Sequence, residues 1–406
     1  MALLDALPPI ASTTDVAREV SRLRAAGHAP ALVSAVVGQA HLRHRGQAKF
    51  GEFAARMLFT RAGLEQATRR TVGAHHAGRL RAVGLSHVAD LGCGIGGDAL
   101  AFAAMGLRVT AVDADEVTAA IAAYNLAVFG DRVEVRHATA EDFIARTRRF
   151  DSLRSRGDRN SADGPAENSA GGADAVWLDP ARRTGGHSET RRIRAEDYSP
   201  PLDWAFDLAG RIPTGIKLGP AHDRDALPED AEAQWISADG SVVELVLWSG
   251  VLARDGVRRS ALVLRGDEAH ELTAASDSED EPSRELGEFL HEPDGAIIRA
   301  RLIGDVARSL DAGMLDPHIA YLTSDAAGTS PFVQSFRVRE TLPAKVPAIN
   351  AALRTHGIGT LEIKKRGVDV DPAQFRRKLA LRGDEAATLF LTRVGQKRLA
   401  ILADRV

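Results

Sequence analysis

Two acidic residues flank a glycine-rich turn in the first third of the 406-residue chain. The turn reads G-C-G-I-G-G from Gly92 and so includes Gly94 and Gly96; Asp90 precedes it, and Asp113 follows about twenty residues after it. Because glycine has no Cβ, a ligand can approach the backbone of such a turn closely. A carboxylate in the position of Asp113 can accept hydrogen bonds from both hydroxyls of a ribose. The pattern therefore predicts a nucleotide-binding turn.

The glycine spacing alone leaves two ligands open, because it also fits the dinucleotide pattern G-x-G-x-x-G. Asp90 favours one of them: a carboxylate two residues before the first glycine would repel a pyrophosphate. It suits a ligand with a cationic end, and S-adenosylmethionine carries a positive ammonium and a positive sulfonium. We therefore expect S-adenosylmethionine rather than NAD. A turn without a ligand would not require Asp90 and Asp113 together.

Alternating strands and helices must position these side chains, and the hydrophobic pattern predicts them. The expected strands are 88–91, 107–112, 133–136, 175–178 and 215–218, followed by a hairpin of 233–237 and 242–248 and a further strand at 260–264. The fold class is thus α/β, with a Rossmann-like parallel sheet. Four helices are expected before it, at 16–26, 30–39, 51–59 and 68–83.

The glycine turn and its surroundings resemble motifs I and II of the class I methyltransferases. D-x-G-C-G-x-G-G-D, which ends at Asp98, resembles motif I, and V-x-A-V-D-x-D resembles motif II. After the third strand these enzymes usually contact adenine through an Asp, but this chain has Thr139-Ala140, which favours the backbone of Ala140. The residues that the resemblance implies for cofactor binding are Asp90, Gly92, Gly94, Gly96, Asp98, Asp113 and Ala140.

Asp179 and Pro180, directly after the fourth strand, resemble motif IV of methyltransferases that modify exocyclic amines. There the polar side chain and the proline carbonyl accept hydrogen bonds from the target amine, which implies catalytic roles for both residues. Ala181 replaces the second proline of the motif and Arg182 its aromatic residue; a guanidinium can also stack on a base. The alternative is a capped strand end with solvated arginines.

The remaining chain resembles bacterial methyltransferases with a C-terminal THUMP-like domain, which are similar to trimethylguanosine synthases. The resemblance runs through the segment 49–68 and through E-P-D-G-A, Y-L-T-S-D and I-K-K-R-G-V-D-V-D near the C-terminus. The predicted domains are an N-terminal helical extension (1–82), the methyltransferase domain (83–266), an acidic linker (267–288) and a THUMP-like α/β domain (289–406). THUMP domains bind RNA, so RNA is the implied partner.

A basic run in the THUMP-like region is the candidate RNA contact. Lys364, Lys365 and Arg366 end a predicted strand, where all three side chains can fan outward, and a helix with three more cations at 376–378 follows. Such a patch can bind phosphates. The alternative is an ordinary solvated loop.

Composition limits the remaining possibilities. Cys93 is the only cysteine, which excludes a disulfide framework and a cysteine-based zinc site. No apolar run is long enough for a membrane span and no leader pattern begins the chain, so we expect a soluble cytoplasmic protein with no membrane or metal partner. The polar stretch 146–172 predicts a mobile surface insertion. The oligomeric state is not predicted.

The leading hypothesis is a methyltransferase that uses S-adenosylmethionine and acts on RNA at a base amine. Two alternatives remain from the sequence. One is a methyltransferase for a protein or small molecule, with the C-terminal domain as a scaffold. The other is a non-catalytic RNA-binding protein with a vestigial cofactor pocket, because motif IV is altered at Ala181 and Arg182.

Overall fold

The computed structural model describes residues 1–147, 172–182 and 198–406. Most of the predicted insertion 146–172 lies outside these residues. The chain forms two compact units. The first comprises Met1–Leu218, Asp223–Ala231 and Val246–Arg254; the second comprises Gly219–His222, Glu232–Leu245 and Asp255–Val406.

The first 82 residues are helical, as predicted. The helices are α1 (Ala2–Asp5), α2 (Thr13–Ala25), α3 (Pro30–Phe50), α4 (Arg61–Gln66) and α5 (Arg70–Ala82), with a 3₁₀ turn at Gly51–Arg56. Ser12 caps α2 by accepting a hydrogen bond from the Asp15 amide. The helix α3 continues beyond the predicted end at Gln39, because its buried stripe continues through Leu42, Gly46 and Phe50.

A nine-stranded sheet follows. Its strands are β1 (His87–Leu91), β2 (Arg108–Asp113), β3 (Val133–His137), β4 (Ala175–Leu178), β7 (Thr214–Leu218), β8 (Glu232–Ala238), β9 (Ser241–Trp248), β10 (Arg259–Arg265) and β11 (Glu268–Ala274); β5 (Ala181–Arg182) and β6 (Tyr198–Ser199) form a separate pair. The order is β11-β10-β8-β9-β7-β4-β1-β2-β3, and β3, β2, β1, β4 and β7 are parallel. The predicted α/β fold with a Rossmann-like sheet is confirmed.

Helices cover the parallel strands, as crossover connections require. They are α6 (Gly97–Ala104), α7 (Glu116–Leu126), α8 (Ala140–Arg146) and α9 (Leu202–Ala209), with 3₁₀ turns at Ala127–Arg132, Arg224–Ala226 and Gly250–Leu252. The central strand β4 is buried along its whole length. Its Trp177 ring packs 4.3 Å from the His76 ring of α5, which attaches the N-terminal helices to the sheet.

The acidic segment 267–288 is partly a strand, which corrects the prediction of a linker there. β11 pairs antiparallel with β10, from Arg265 opposite Glu268 to Arg259 opposite Ala274. His270 and Leu272 are half-buried, whereas Glu268 is exposed. An edge strand tolerates charged residues on its open face, so acidic composition did not exclude a strand. The domain boundaries at 83, 267 and 289 stay a prediction.

The second unit also contains a seven-stranded sheet in the order β13-β14-β12-β15-β18-β17-β16. These strands are β12 (Phe289–Pro293), β13 (Gly313–Asp316), β14 (Ile319–Ser324), β15 (Val333–Pro343), β16 (Ile358–Lys365), β17 (Glu385–Val394) and β18 (Lys397–Arg405). The helices are α10 (Gly295–Ala300), α11 (Ile303–Ser309), α12 (Val346–Thr355) and α13 (Pro372–Arg376). The sequence did not predict β12, β13 or α10.

Candidate active site

The glycine turn connects β1 to α6 at the carboxyl end of the parallel sheet. Gly92 has a φ of +81°, and a Cβ there would lie 2.8 Å from the Asp179 carbonyl oxygen, so only glycine fits beside β4. Gly94 has a φ of +57°, and a Cβ there would meet no atom within 4 Å. The turn therefore has open space above Gly94, which is the cradle that a closely approaching ligand needs.

Asp113, at the end of β2, holds this turn in place. Its Oδ2 accepts a hydrogen bond from the Gly94 amide and its Oδ1 one from the Asp115 amide, each at 2.9 Å. Burial raises the pKa of Asp113 above its ordinary value, although the two amide hydrogen bonds oppose the shift. Asp113 thus lies beside the cradle, where the sequence predicts the ribose contact.

Asp90 is a buried carboxylate whose two oxygens find no hydrogen-bond partner among the described residues. Burial raises its pKa well above the ordinary value, and the negative charges of Asp98, Asp179 and Asp113 raise it further. An unpaired buried carboxylate in such a field is costly unless a cation compensates it. The site therefore fits the cationic amino acid end of S-adenosylmethionine and does not fit a pyrophosphate.

Asp98 is engaged differently from the other predicted cofactor residues. Its Oδ1 lies 2.9 Å from His76 Nδ1 of α5, and its Oδ2 accepts a 2.7 Å hydrogen bond from the Thr68 hydroxyl. Burial acts to raise its pKa, but the His76 hydrogen bond and the Lys217 ammonium outweigh burial and lower it to about 2. Both carboxylate oxygens therefore bind groups of the protein, which favours a role in packing α5 against α6.

The segment before α5 packs on the glycine turn. Asn125 of α7 donates hydrogen bonds to the carbonyls of Leu58 and Ile95 and accepts one from the Leu58 amide. A Cβ on Gly63 would lie 2.5 Å from Ile95, so α4 approaches the turn at van der Waals distance. Residues of the segment 49–68 and of motif I thus form one wall.

The carboxyl ends of β4 and β7 bring together Asp179 and Lys217. The strands are parallel with Leu178 opposite Ile216, so the residue after each lies at the same level. Lys217 Nζ donates a 2.5 Å hydrogen bond to Asp179 Oδ2. The lysine side chain is 13% exposed and the aspartate side chain 34% exposed. Lys217 was not among the predicted site residues, although a lysine inside the otherwise apolar strand G-I-K-L was the available signal.

Lys217 also contacts the Asp98 group. Its ammonium donates to the Thr68 hydroxyl at 3.0 Å and lies 3.8 Å from Asp98 Oδ2. A second lysine is close: burial, together with the positive charge of Lys217, lowers the pKa of Lys49 to about 8. Lys49 Nζ donates to the Glu65 and Ala67 carbonyls at 2.6 and 2.7 Å. The site therefore combines negative charge at Asp90 and Asp113 with positive charge on the Lys217 side.

The remaining predicted site residues lie at the ends of neighbouring elements. Pro180 is buried directly after Asp179. The backbone of Arg182 pairs with Tyr198 in the β5–β6 ladder. Ala140 begins α8 and is buried, and the Ala138 amide donates to the Asp113 carbonyl at 3.1 Å, which brings the end of β3 to the end of β2. The roles of these residues in binding and catalysis stay predictions.

The predicted basic patch of the second unit does not fan outward as a whole. Lys364 Nζ donates to Glu292 Oε2 at 2.6 Å, and an Arg366 amino group lies 3.7 Å from Glu292 Oε1. Lys365 is exposed. The reason is the two-residue period of a strand, which places Lys364 and Arg366 on one face and Lys365 on the other. Arg376 donates to the Leu361 carbonyl.

Among residues 1–147, 172–182 and 198–406, no group of three or more His, Cys, Asp or Glu side chains is arranged to bind a metal. Within the same ranges, no helix has both the length and the hydrophobicity that crossing a bilayer requires.

The strand order and the acidic glycine turn define a class I methyltransferase. Strands β3, β2, β1, β4 and β7 are parallel neighbours, and β9 lies between β7 and β8. Asp239-Gly240, with both residues at positive φ, joins β8 to β9. Family models agree: residues 88–163 match a methyltransferase domain, 333–405 a THUMP domain-like model and 1–46 a domain of unknown function (DUF8688).

Relatives that match nearly the whole chain identify its family. Two Mycobacterium tuberculosis proteins, one from each of two strains, are 31% identical over 392 residues, which cover 93% of this chain and 97% of theirs; each is named an uncharacterized S-adenosylmethionine-dependent methyltransferase. A crystal structure of a candidate methyltransferase from Porphyromonas gingivalis has a TM-score of 0.72 at 19% identity and covers 97% of this chain and 98% of its own, which shows the same fold. The chain belongs to the S-adenosylmethionine-dependent methyltransferases, and S-adenosylmethionine is its cofactor.

Proposed function

We propose that this methyltransferase modifies an exocyclic amine of an RNA base. The observation that carries the proposal is the place of Asp179, whose carbonyl approaches Gly92 of the cofactor turn and whose carboxylate follows β4. A carboxylate beside the turn can accept an N–H of the target amine. The Pro180 carbonyl, next along the chain, can accept the second N–H.

The cofactor residues in this proposal are those of the glycine turn, the carboxylate of Asp90, and the carboxylate of Asp113, which also accepts hydrogen bonds from two backbone amides. Asp90 binds the cationic amino acid end and Asp113 the ribose hydroxyls, while the backbone of Ala140 contacts adenine. Gly94 leaves room for the ligand, while Gly92 and Gly96 let the turn pack closely against Asp179 and Leu126. Asp98 supports this wall through Thr68 and His76 instead of contacting the ligand.

S-adenosylmethionine supplies a methyl group that is already activated by its sulfonium, so the protein contributes mainly orientation. Two hydrogen bonds from the amine, to Asp179 and to the Pro180 carbonyl, direct the nitrogen lone pair away from both acceptors. Methyl transfer would replace the S–C bond with an N–C bond and leave the amine cationic, so the amine would have to lose one proton. The Asp179 carboxylate could accept this proton and pass it to water.

RNA is proposed as the substrate class because residues 333–405 match a THUMP domain-like model. Lys365, exposed at the end of β16, and the cations of the following helix can contact phosphates. Lys364 and Arg366 can contribute once an anionic strand competes with Glu292 for them. Arg182 is proposed to stack on the target base.

The decisive experiment supplies the purified protein with S-adenosylmethionine labelled in the methyl group and with total RNA from a strain that lacks the gene. Label in RNA, recovered as an N-methylated nucleoside after digestion, supports the proposal. RNA from the parent strain serves as the control, because its sites are already methylated. Label that enters protein or a small molecule and not RNA would refute the substrate class; a methylated hydroxyl would refute the amine.

A further inference from the structure

Lys217 lies between two carboxylates that belong to different parts of the site. On one side its ammonium is 2.5 Å from Asp179 Oδ2, and on the other it is 3.8 Å from Asp98 Oδ2. The Thr68 hydroxyl connects the two sides, since it accepts from Lys217 at 3.0 Å and donates to Asp98 at 2.7 Å. The order of contacts is therefore Asp98, Thr68, Lys217, Asp179.

These contacts restrict the position of the Lys217 ammonium. An ammonium with 13% side-chain exposure loses most of its hydration, and it stays charged only where carboxylates and hydroxyls replace the water. Asp98 and Thr68, which are both buried, supply these groups on the side of the ammonium that faces away from Asp179. The ammonium is consequently held at a fixed point next to Asp179, which is the more exposed partner.

A fixed ammonium has two effects on the Asp179 carboxylate. The 2.5 Å hydrogen bond to Oδ2 selects one orientation of the carboxyl plane. The adjacent positive charge favours the ionised form, which accepts hydrogen bonds and protons, over the acid, which donates one. This matters because Asp90 and Asp179 lie close enough for their negative charges to repel: the charge of Asp179 is one of the causes that raise the pKa of Asp90.

We infer that Lys217 is a positioning residue for methyl transfer, which holds the Asp179 carboxylate in the orientation and charge state that accept the target amine. The inference rests on the proposed function, since it gives Asp179 that role. It predicts that Lys217 affects turnover through Asp179 and does not affect binding of the cofactor.

The test uses Lys217→Met, which retains the length of the side chain and removes the charge, and Asp179→Asn. Lys217→Met should lower kcat at least about tenfold, because misplacement by about 1 Å costs about a hundredfold. The affinity for S-adenosylmethionine, measured by calorimetry, and the KM for RNA should each change less than about threefold. Lys397→Met, an exposed lysine of β18, is the matched control and should change none of these.

A double-mutant cycle separates positioning from a merely structural role. If Lys217 acts through Asp179, the variant with both substitutions turns over no more slowly than Asp179→Asn alone. Independent, additive losses would overturn the inference. So would a Lys217→Met enzyme with the parent's kcat, while a slow Asp179→Asn enzyme in the same assay would leave the proposed function intact. An Asp179→Asn enzyme with the parent's kcat would refute the proposed role of Asp179 itself.

A chemical rescue experiment tests the inference even if Lys217→Met does not fold. Lys217→Cys can be alkylated with bromoethylamine to restore a primary amine at lysine length, and the only natural cysteine, Cys93, is buried. Restored turnover after alkylation supports the inference. Folded, alkylated protein without activity contradicts it, as does equal turnover before and after alkylation.

Discussion

Replacing Asp98 with Asn tests the reading of this carboxylate as a packing group. The substitution retains the shape but removes the charge that His76 at 2.9 Å and Lys217 at 3.8 Å share. The Thr68 hydroxyl would still find an acceptor. The expected consequences are a less stable first unit and a nearly unchanged affinity for S-adenosylmethionine, because both oxygens of Asp98 already bind groups of the protein.

The size of the stability loss follows from the pKa of Asp98. This pKa falls from 3.8 to about 2 on folding, and a shift of that size corresponds to about 2 kcal/mol of stability at neutral pH. Because the folded state has the lower pKa, it binds fewer protons than the unfolded state. The stabilisation is therefore complete above about pH 4 and is lost as the pH falls towards about 2.

Urea unfolding of parent and Asp98→Asn proteins, followed by tryptophan fluorescence between about pH 7 and pH 3, measures this directly. The variant should be less stable by about 2–4 kcal/mol at pH 7, since breaking a buried pair leaves its partners uncompensated. The difference should shrink below about pH 4. A constant difference across this range would refute the electrostatic explanation. A tenfold loss of S-adenosylmethionine affinity would return Asp98 to the cofactor contacts.

Three more predictions address the other site residues. Asp113→Ala should weaken S-adenosylmethionine binding by about 1.5–3 kcal/mol through loss of the ribose hydrogen bonds, as measured by calorimetry; tight NAD binding by the parent would contradict the assignment. Asp179→Ala should lower turnover by orders of magnitude at nearly constant cofactor affinity, and unchanged methylation would remove Asp179 from the mechanism. Replacing Lys364, Lys365 and Arg366 with Ala should weaken RNA binding and reduce the slope of log K against log salt by roughly 0.7 per lost single-strand phosphate contact. An unchanged slope in filter binding would mean that these cations are only solvated.

Local sequence was sufficient to predict the parallel strands of the sheet and the cofactor-binding turn. Strands β1, β2, β3, β4 and β7 lie within one or two residues of their predicted positions, because each is a short apolar run between clear turn signals. The positive φ of Gly92 and Gly94 is also a local property, visible as glycine spacing, although the close approach of Asp179 to Gly92 is not. The cofactor, S-adenosylmethionine, followed from the same residues and from one acidic neighbour, Asp90.

Charge composition led to wrong predictions at two places, where strand pairing and contacts in the folded chain decide the structure. The acidic segment that begins at Asp267 predicted a linker, yet β10 offers it an open edge and it becomes β11. The basic run predicted a fully exposed patch, yet Glu292 of another strand engages Lys364 and Arg366. The two cases differ: β10 and β11 are consecutive strands of one hairpin, whereas Glu292 is distant along the chain from Lys364 and Arg366, so a local pattern does not contain it.

The sequence by itself determined the α/β class, the methyltransferase motifs and the position of Asp179 after the fourth strand. Only the tertiary structure decided what Asp179 touches. Lys217 is 38 residues away in the chain, and parallel strands β4 and β7 place the two side by side only because the crossover returns the chain in register. The contacts of Asp98 also depend on the tertiary structure, because its partners His76 and Lys217 come from α5 and β7. Motif spacing identifies a carboxylate, but the packing of distant elements determines whether it faces a ligand or the protein.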